Sequence, residues 1–268
     1  MLGNAIEISP LILRVRKTLF FIFILSLATE ARSQHNDFYL EGLVLEKEFN
    51  VEEALVKYES AIAQNPHHAK ALTHASRMIS NIGGRLPNTE HSQKRALFER
   101  AKTYAQKSIE IAPEDAEAHL AYTISLGLLS EIATNPNDKV RYAQQIHHEA
   151  TQILKIDSAF AEAYFILGKW QLELSQLNWV ELMACKLFFG GFPEEISLLK
   201  AEHYLNQANS YKPDYILFLY GLASAQHALG EDVKAIQTLQ KALSLPPAEP
   251  DDVTRKERCR LLLKEIRQ

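Results

Sequence analysis

Histidine and cysteine are the residue types in this chain that could carry metal-binding or catalytic chemistry, and their spacing argues against both. The pairs His67-His68 and His147-His148 are adjacent in sequence, and neighbours on a helix point to different sides. His148-Glu149 lacks the second histidine of a zinc-protease helix. The sequence also has no glycine-rich phosphate loop and no G-x-S-x-G motif. We therefore predict no catalytic residue, no metal and no cofactor, and a protein that is not an enzyme.

The composition is that of a chain that folds around an apolar core. Apolar residues make up 47% and charged residues 23% of the 268 positions, and the net charge is −4. Because there is no basic excess or stripe, we expect no nucleic-acid partner. The two cysteines, Cys185 and Cys259, rule out a disulfide scaffold and a zinc ribbon. We expect two buried or half-buried thiols, and the alternative is a disulfide between them.

The first 33 residues are typical of a targeting segment. Basic residues between Arg14 and Lys17 precede an apolar run from Leu19 to Leu27, which is too short to span a bilayer core. Ala31-Arg32-Ser33 offers small residues at the positions that a signal peptidase reads. We expect residues 1–33 to be a signal peptide or an N-terminal anchor, and residues 34–268 to be one domain. The expected location is exported, either periplasmic or secreted, with membrane anchoring as the alternative.

A repeat runs through the rest of the chain. Five segments end alike, and four of them end in proline, which cannot continue a helix. They are Ala61–Pro66, Ser108–Pro113, Ile153–Ser158, Ala208–Pro213 and Ala242–Pro247. Before these ends, small and apolar residues recur at offsets of four and three, on one helix face. Examples are Ala54, Tyr58 and Ala61, then Ala201, Leu205 and Ala208, then Ala235, Leu239 and Ala242.

Each stop is followed by a second type of helix, best seen in Ala161–Gly168. The alternation resembles the tetratricopeptide (TPR) repeat, in which Gly42, Gly168 and Ala223 take the small position of the first helix and Gly230 the turn. We therefore predict an all-α, TPR-like solenoid, a right-handed superhelix of about five helical hairpins. The first three intervals between the ends of these five segments are longer than a standard TPR repeat. We place the extra residues between the two helices of a hairpin.

Two further segments complete the predicted architecture. Repeat four carries a long insert, about Leu177 to Glu195, which we expect to be an extra helix. Residues 251–266 form an amphipathic helix that we expect to cap the last repeat. Its apolar residues, which stand between charged ones, are Val253, Leu261, Leu262, Leu263 and Ile266.

The fourth repeat contains both tryptophans of the chain and a distinctive motif. The positions that form the motif or flank it are Leu167, Gly168, Trp170, Ser175, Leu177, Trp179, Glu181, Phe188, Phe189, Gly190 and Pro193. The run resembles the signature of the regulator of microtubule dynamics family, a group of TPR-like proteins. We expect Trp170 and Trp179 to fix an extra helix against the solenoid. The alternative is that Trp179, Leu187, Phe188 and Phe189 edge an apolar interaction site.

The resemblance implies a binding role and no activity. Eukaryotic members of the family are linked to microtubules and to mitochondrial and endoplasmic-reticulum membranes, and in one the TPR-like domain of a membrane tether binds phospholipid. This chain departs from them, because Leu182 and Met183 stand where members carry basic residues. Its apolar N-terminus resembles an export signal. The resemblance therefore indicates an exported bacterial relative.

The first helices of a TPR solenoid line its concave groove, which gives a set of candidate binding residues. They are Thr73, Arg77, Leu120, Ile124, Phe165, Lys169, Tyr220, Ser224 and His227. Only two of them are cations, too few for a clamp on a peptide carboxylate, and the apolar members favour an acyl chain or an amphipathic helix. The alternative is that these residues pack against neighbouring helices.

Two functions remain open at this point. The first is a non-catalytic scaffold that binds a protein or peptide partner in its concave groove. The second is binding or transfer of a lipid or another apolar ligand in the same groove. We expect membrane association only through an uncleaved N-terminus.

Overall fold

The computed structural model describes residues 38–192 and 195–268, so the predicted signal peptide and Pro193 lie outside the described residues. Throughout these two stretches the regular structure is helical, as predicted. The helices are α1 (residues 38–47), α2 (Val51–Gln64), α3 (Ala69–Arg85), α4 (His91–Ile111), α5 (Ala116–Glu131), α6 (Pro136–Ile156), α7 (Ala161–Leu174), α8 (Trp179–Phe189), α9 (Leu198–Tyr211), α10 (Ile216–Ala228), α11 (Asp232–Ser244) and α12 (Asp252–Ile266).

The helices form five hairpins that stack along the chain. The pairs are α1 with α2, α3 with α4, α5 with α6, α7 with α9, and α10 with α11. Each hairpin packs on the next, and α12 packs against α10 and α11. The insert helix α8 lies in sequence between α7 and α9 without separating them. The five predicted hairpins and the terminal helix are therefore confirmed.

Small residues hold the helices of a hairpin close together. The repeated stripe is fully buried, with Ala201, Leu205 and Ala208 each at 0% exposure. Gly168 faces this stripe in α7, and a Cβ atom there would lie 2.6 Å from Leu205 Cγ. The same relation joins Gly42 to Tyr58 in the first hairpin. The predicted close approach at small positions thus accounts for the packing of two hairpins.

Polar side chains cap the N-terminal ends of helices that follow loops. Asp115 caps α5 by accepting a hydrogen bond from the Glu117 amide, and Asn135 caps α6, where Pro136 takes the first position. Both pairings satisfy amides that have no partner within the helix.

Two sequence expectations need correction. The extra residues of repeats two and three mostly lengthen the second helices, because α4 and α6 have 21 residues each, instead of forming long connections. In α12, Val253 and Leu261 are 68% and 61% exposed, whereas the core contacts come from Leu262, Leu263 and Ile266.

Within the described residues, no helix is long and apolar enough to cross a bilayer.

Candidate functional site

A cavity of about 780 Å³ lies between α5, α6, α7 and the insert. Near the N-terminal ends of α5 and α7, Leu120 and Ala163 belong to one apolar cluster together with Ile153 of α6. The cavity occupies the space beyond this contact, with α6 as one wall and α8 as another. Its apolar lining includes Ile124, Leu128, Val140, Ala143, Ile146, Phe165, Ile166, Trp170, Leu174, Leu177 and Phe192.

Trp170 connects the walls of the cavity. Its side chain is 4% exposed, and its indole Nε1 donates a hydrogen bond of 2.8 Å to the Ala143 carbonyl of α6. The ring of Phe192, just after α8, meets the Trp170 ring edge to face at 5.6 Å. Trp170 therefore joins α7, α6 and the end of the insert, as the sequence analysis expected of a tryptophan that fixes an extra helix.

Local hydrogen bonds determine where α8 begins and ends. Asn178 and Glu181 form a reciprocal capping box at its N-terminus. At its C-terminus, Gly190 and Gly191 have φ of 76° and 78°, a backbone region that favours glycine. Gln144 of α6 then donates to the Gly191 carbonyl at 2.8 Å. The capping box is internal to the insert, so the bond from Gln144 is the one that attaches the C-terminal end of α8 to α6.

A buried glutamine secures the return from the insert to α9. Gln171 of α7 is 0% exposed. Its Nε2 donates to the Glu195 carbonyl at 3.2 Å, and its Oε1 accepts from the Ser197 amide at 2.8 Å. One side chain of α7 therefore satisfies two backbone groups immediately before α9.

Charged residues surround the apolar lining. Lys169 lies 3.3 Å from Glu173 and 3.8 Å from Glu131. Lys139 is exposed and forms no ion pair within residues 38–192 and 195–268. Both signs are therefore present around the cavity, and the exposed pairs there contribute little to stability.

The cavity residues do not form a catalytic arrangement. Burial raises the pKa of the Cys185 thiol above its ordinary value, so the group stays protonated near neutral pH. Neither Cys185 nor Cys259 is in a disulfide. The part of the chain that the structure describes has no cluster of three His, Cys, Asp or Glu side chains suited to a metal ion.

Three of the nine predicted groove residues lie at the cavity: Ile124, Phe165 and Lys169. Ile124 is 37% exposed. The Phe165 ring stacks on Phe218 of α10 at 4.9 Å, which fixes its position in the wall.

The other six predicted groove residues lie elsewhere. Thr73 is buried and shares a 2.8 Å hydrogen bond with Ser108, and Leu120 is in the core. Arg77 bridges Glu46 and Glu117. The remaining three, Tyr220, Ser224 and His227, lie on α10, in the last hairpin.

The wall that α6 contributes does not follow from the repeat positions of the first helices. Val140, Ala143 and Ile146 line the cavity, whereas the core stripe of the same helix is formed by Tyr142, Ala150 and Ile153. Ala143 and Ile146 lie next to Ala150 and Ile153 on the helical wheel, so the cavity wall is an extension of the core face of α6. Ile146 also packs against the apolar cluster that contains Tyr142. A broad apolar face on a long helix is the signal that could have revealed this wall.

The comparisons with known proteins agree with this architecture. The sequence profile of the family described as RMD1-3, regulator of microtubule dynamics protein 1-3, matches residues 39–267. The chain belongs to this family. Regulator of microtubule dynamics protein 2 of Homo sapiens is 25% identical over 167 residues, 62% of this chain and 40% of that protein. Protein 3 of Xenopus laevis is 22% identical over 161 residues, 60% of this chain and 34% of that protein. The match therefore spans well under half the length of these relatives.

Solved structures show the same fold at low sequence identity. A thermophilic TPR protein of Thermus thermophilus aligns with a TM-score of 0.63 at 18% identity, over 85% of this chain and 99% of that one. The PilF protein of Pseudomonas aeruginosa aligns with a TM-score of 0.54 at 12% identity, over 88% of each chain. The TPR-like solenoid predicted from the sequence is thus confirmed.

In this member of the regulator of microtubule dynamics family, several signature residues build the cavity and its insert. Leu167 is buried beside the helix-contact position Gly168, and Ser175 ends α7. Leu177 lines the cavity, while Glu181 and Gly190 delimit α8. Pro193 and the side chains of Trp179, Phe188 and Phe189 lie outside the described part of the structure.

Proposed function

We propose that this chain is a non-catalytic binding protein that holds a lipid or a similar amphiphile in the cavity between α5, α6, α7 and α8. The volume of the cavity, about 780 Å³, carries the proposal, because ligand sites typically measure about 300–1,000 Å³ and are mostly apolar. An aliphatic body would contact the apolar lining, and the polar end would lie among the charged residues around it.

The arrangement of the cations supports an apolar ligand over a peptide carboxylate. Arg77 contacts two carboxylates, those of Glu46 and Glu117, and Lys169 has two acidic neighbours of its own. A clamp for a peptide C-terminus needs several uncompensated donors on one face. The predicted groove therefore offers few charges for that purpose.

A second candidate is an amphipathic peptide from a protein partner. It is supported by Ile124, a large apolar side chain that is 37% exposed at the cavity. A helix laid along α5 and α7 would cover it and insert an apolar side chain into the cavity.

Native mass spectrometry of the chain, purified without detergent, tests the proposal. We expect an adduct of a small molecule that organic solvent releases. Val140→Glu places a carboxylate in the cavity wall, and we expect it to abolish the adduct because burying an unpaired charge is costly. The matched control is Val56→Glu, at a side chain that is 62% exposed on α2.

The outcomes separate the two candidates. An adduct in the control and not in the Val140 variant supports ligand binding in the cavity. A clean mass for the unmodified chain, or an adduct that the Val140 variant retains, contradicts it. In that case a peptide partner becomes the better hypothesis.

A further inference from the structure

The insert helix α8 has an apolar face that points away from the cavity. Val180, Met183 and Leu187 are 63%, 39% and 73% exposed. Their spacing of three and four residues places them on one side of the helix. Cys185, which is buried and lines the cavity, lies on the other side. Helix α8 therefore presents an apolar face to the outside, while Glu181 and Cys185 line the cavity.

This outward face has no partner within the described chain. No described side chain of α8 belongs to any of the apolar core clusters of the solenoid. The C-terminal end of the helix is held by the Gln144–Gly191 hydrogen bond and by the contact of Phe192 with Trp170. The Asn178–Glu181 capping box defines where the helix begins. The exposed side chains therefore project from a helix whose C-terminal end is fixed on α6 and α7.

We infer that the outward face of α8 docks on the surface of a lipid bilayer, which places α8 between the bilayer and the cavity. The inference rests on the proposed function, because it supplies the route by which a lipid reaches the cavity. The two faces of one helix connect the bilayer to the cavity. An apolar molecule would pass beside α8 without crossing bulk water.

The dimensions and charge of α8 favour a bilayer surface. Its 11 residues extend only about 16 Å at 1.5 Å per residue, so the helix would lie in the interface and not span the membrane. It carries one acidic and one basic residue, Glu181 and Lys186, and Glu181 already accepts a backbone hydrogen bond. The face that remains is mostly uncharged.

The charge of the whole chain defines the type of bilayer. The net charge is −4, so attraction to anionic lipids is not the driving force. Docking by apolar contact predicts binding to neutral phosphatidylcholine vesicles that added salt does not weaken. This contact differs from the N-terminal anchoring expected from the sequence, because it involves residues 180–187.

A fluorescent reporter placed on α8 tests the docking directly. An environment-sensitive thiol dye is attached to Met183→Cys in the full chain, and the unmodified chain treated identically gives the background from the two buried thiols. The matched control is Leu199→Cys, on α9, where the native side chain is 69% exposed. We expect phosphatidylcholine vesicles to shift the emission to shorter wavelengths at position 183, with no shift at position 199. The shift at 183 should persist at high salt.

This readout distinguishes docking through α8 from membrane binding through the N-terminus and from ligand binding in the cavity. Vesicle binding through residues 1–33 alone would leave the emission at 183 unchanged, and that result overturns the inference. Equal shifts at both positions overturn it too. A silent probe on a chain that carries a lipid adduct refutes docking and leaves the proposed function intact. A responding probe on a chain without an adduct supports docking and refutes lipid binding in the cavity.

Discussion

Replacing Gly168 by alanine provides a quantitative test of how the cavity wall is positioned. A Cβ atom at this position would lie 2.6 Å from Leu205 Cγ and 3.1 Å from the Ala201 carbonyl oxygen. Carbon atoms pack without repulsion at about 3.5–4.0 Å, so α7 and α9 would have to separate. Overpacking of this kind costs about 1–3 kcal/mol, and alanine returns about 1 kcal/mol through helix propensity. We expect Gly168→Ala to lower the free energy of unfolding by about 0–2 kcal/mol.

A second glycine provides the control that isolates the packing contribution. Gly127 lies inside α5, and a Cβ atom there meets nothing within 4 Å. Gly127→Ala should therefore stabilise the chain by about 1 kcal/mol. Urea denaturation of both variants should give free energies of unfolding that differ by about 1–3 kcal/mol, with unchanged m values. If Gly168→Ala were as stable as Gly127→Ala, the close packing of α7 on α9 would be refuted.

Two further predictions concern buried polar side chains. A hydrogen bond to Glu149 raises the pKa of His119 above its ordinary value, and a bond to the Pro113 carbonyl adds to this. Protonated His119 therefore stabilises the folded chain fully below about pH 6.5. This contribution to the free energy of unfolding is lost as pH rises through the folded pKa of His119. Urea midpoints of the unmodified chain and of His119→Gln should converge as pH rises, and parallel curves would contradict this assignment. Gln171→Leu leaves the Glu195 carbonyl and the Ser197 amide without their partner, so we expect a loss of about 1–3 kcal/mol and faster hydrogen exchange at Ser197. Unchanged exchange would contradict the role of Gln171.

The fold was accessible from the sequence because its determinants are local and repeated. Proline and small residues recur at the ends and along the faces of the second helices. The buried stripe of Ala235, Leu239 and Ala242, each 0% exposed, shows why the pattern is informative. Only small side chains permit the close packing of neighbouring helices, so the pattern specifies both helix and partner.

The cavity could be predicted only in part, because its shape depends on tertiary packing. Phe165 and Lys169 were identified from their repeat position, and both lie at the cavity. Thr73 and Leu120 occupy comparable positions in earlier repeats but are buried, because they contact second helices: Thr73 bonds to Ser108 of α4, and Leu120 clusters with Ile153 of α6. Periodicity places all four on the same type of face. It does not tell where two first helices separate.

The insert explains how a repeat protein acquires an additional cavity wall without losing the stacking of its hairpins. Helices α7 and α9 pack directly on each other, so α8 is added outside an intact hairpin. Glu181 and Gly190 define the ends of α8, and Glu181 also lines the cavity. The chemistry of the ligand should depend mainly on the α5 and α6 walls, where Leu128 and Val140 line the cavity. Substitutions there should alter which ligand is bound, whereas changes in the family motif should alter whether the cavity forms.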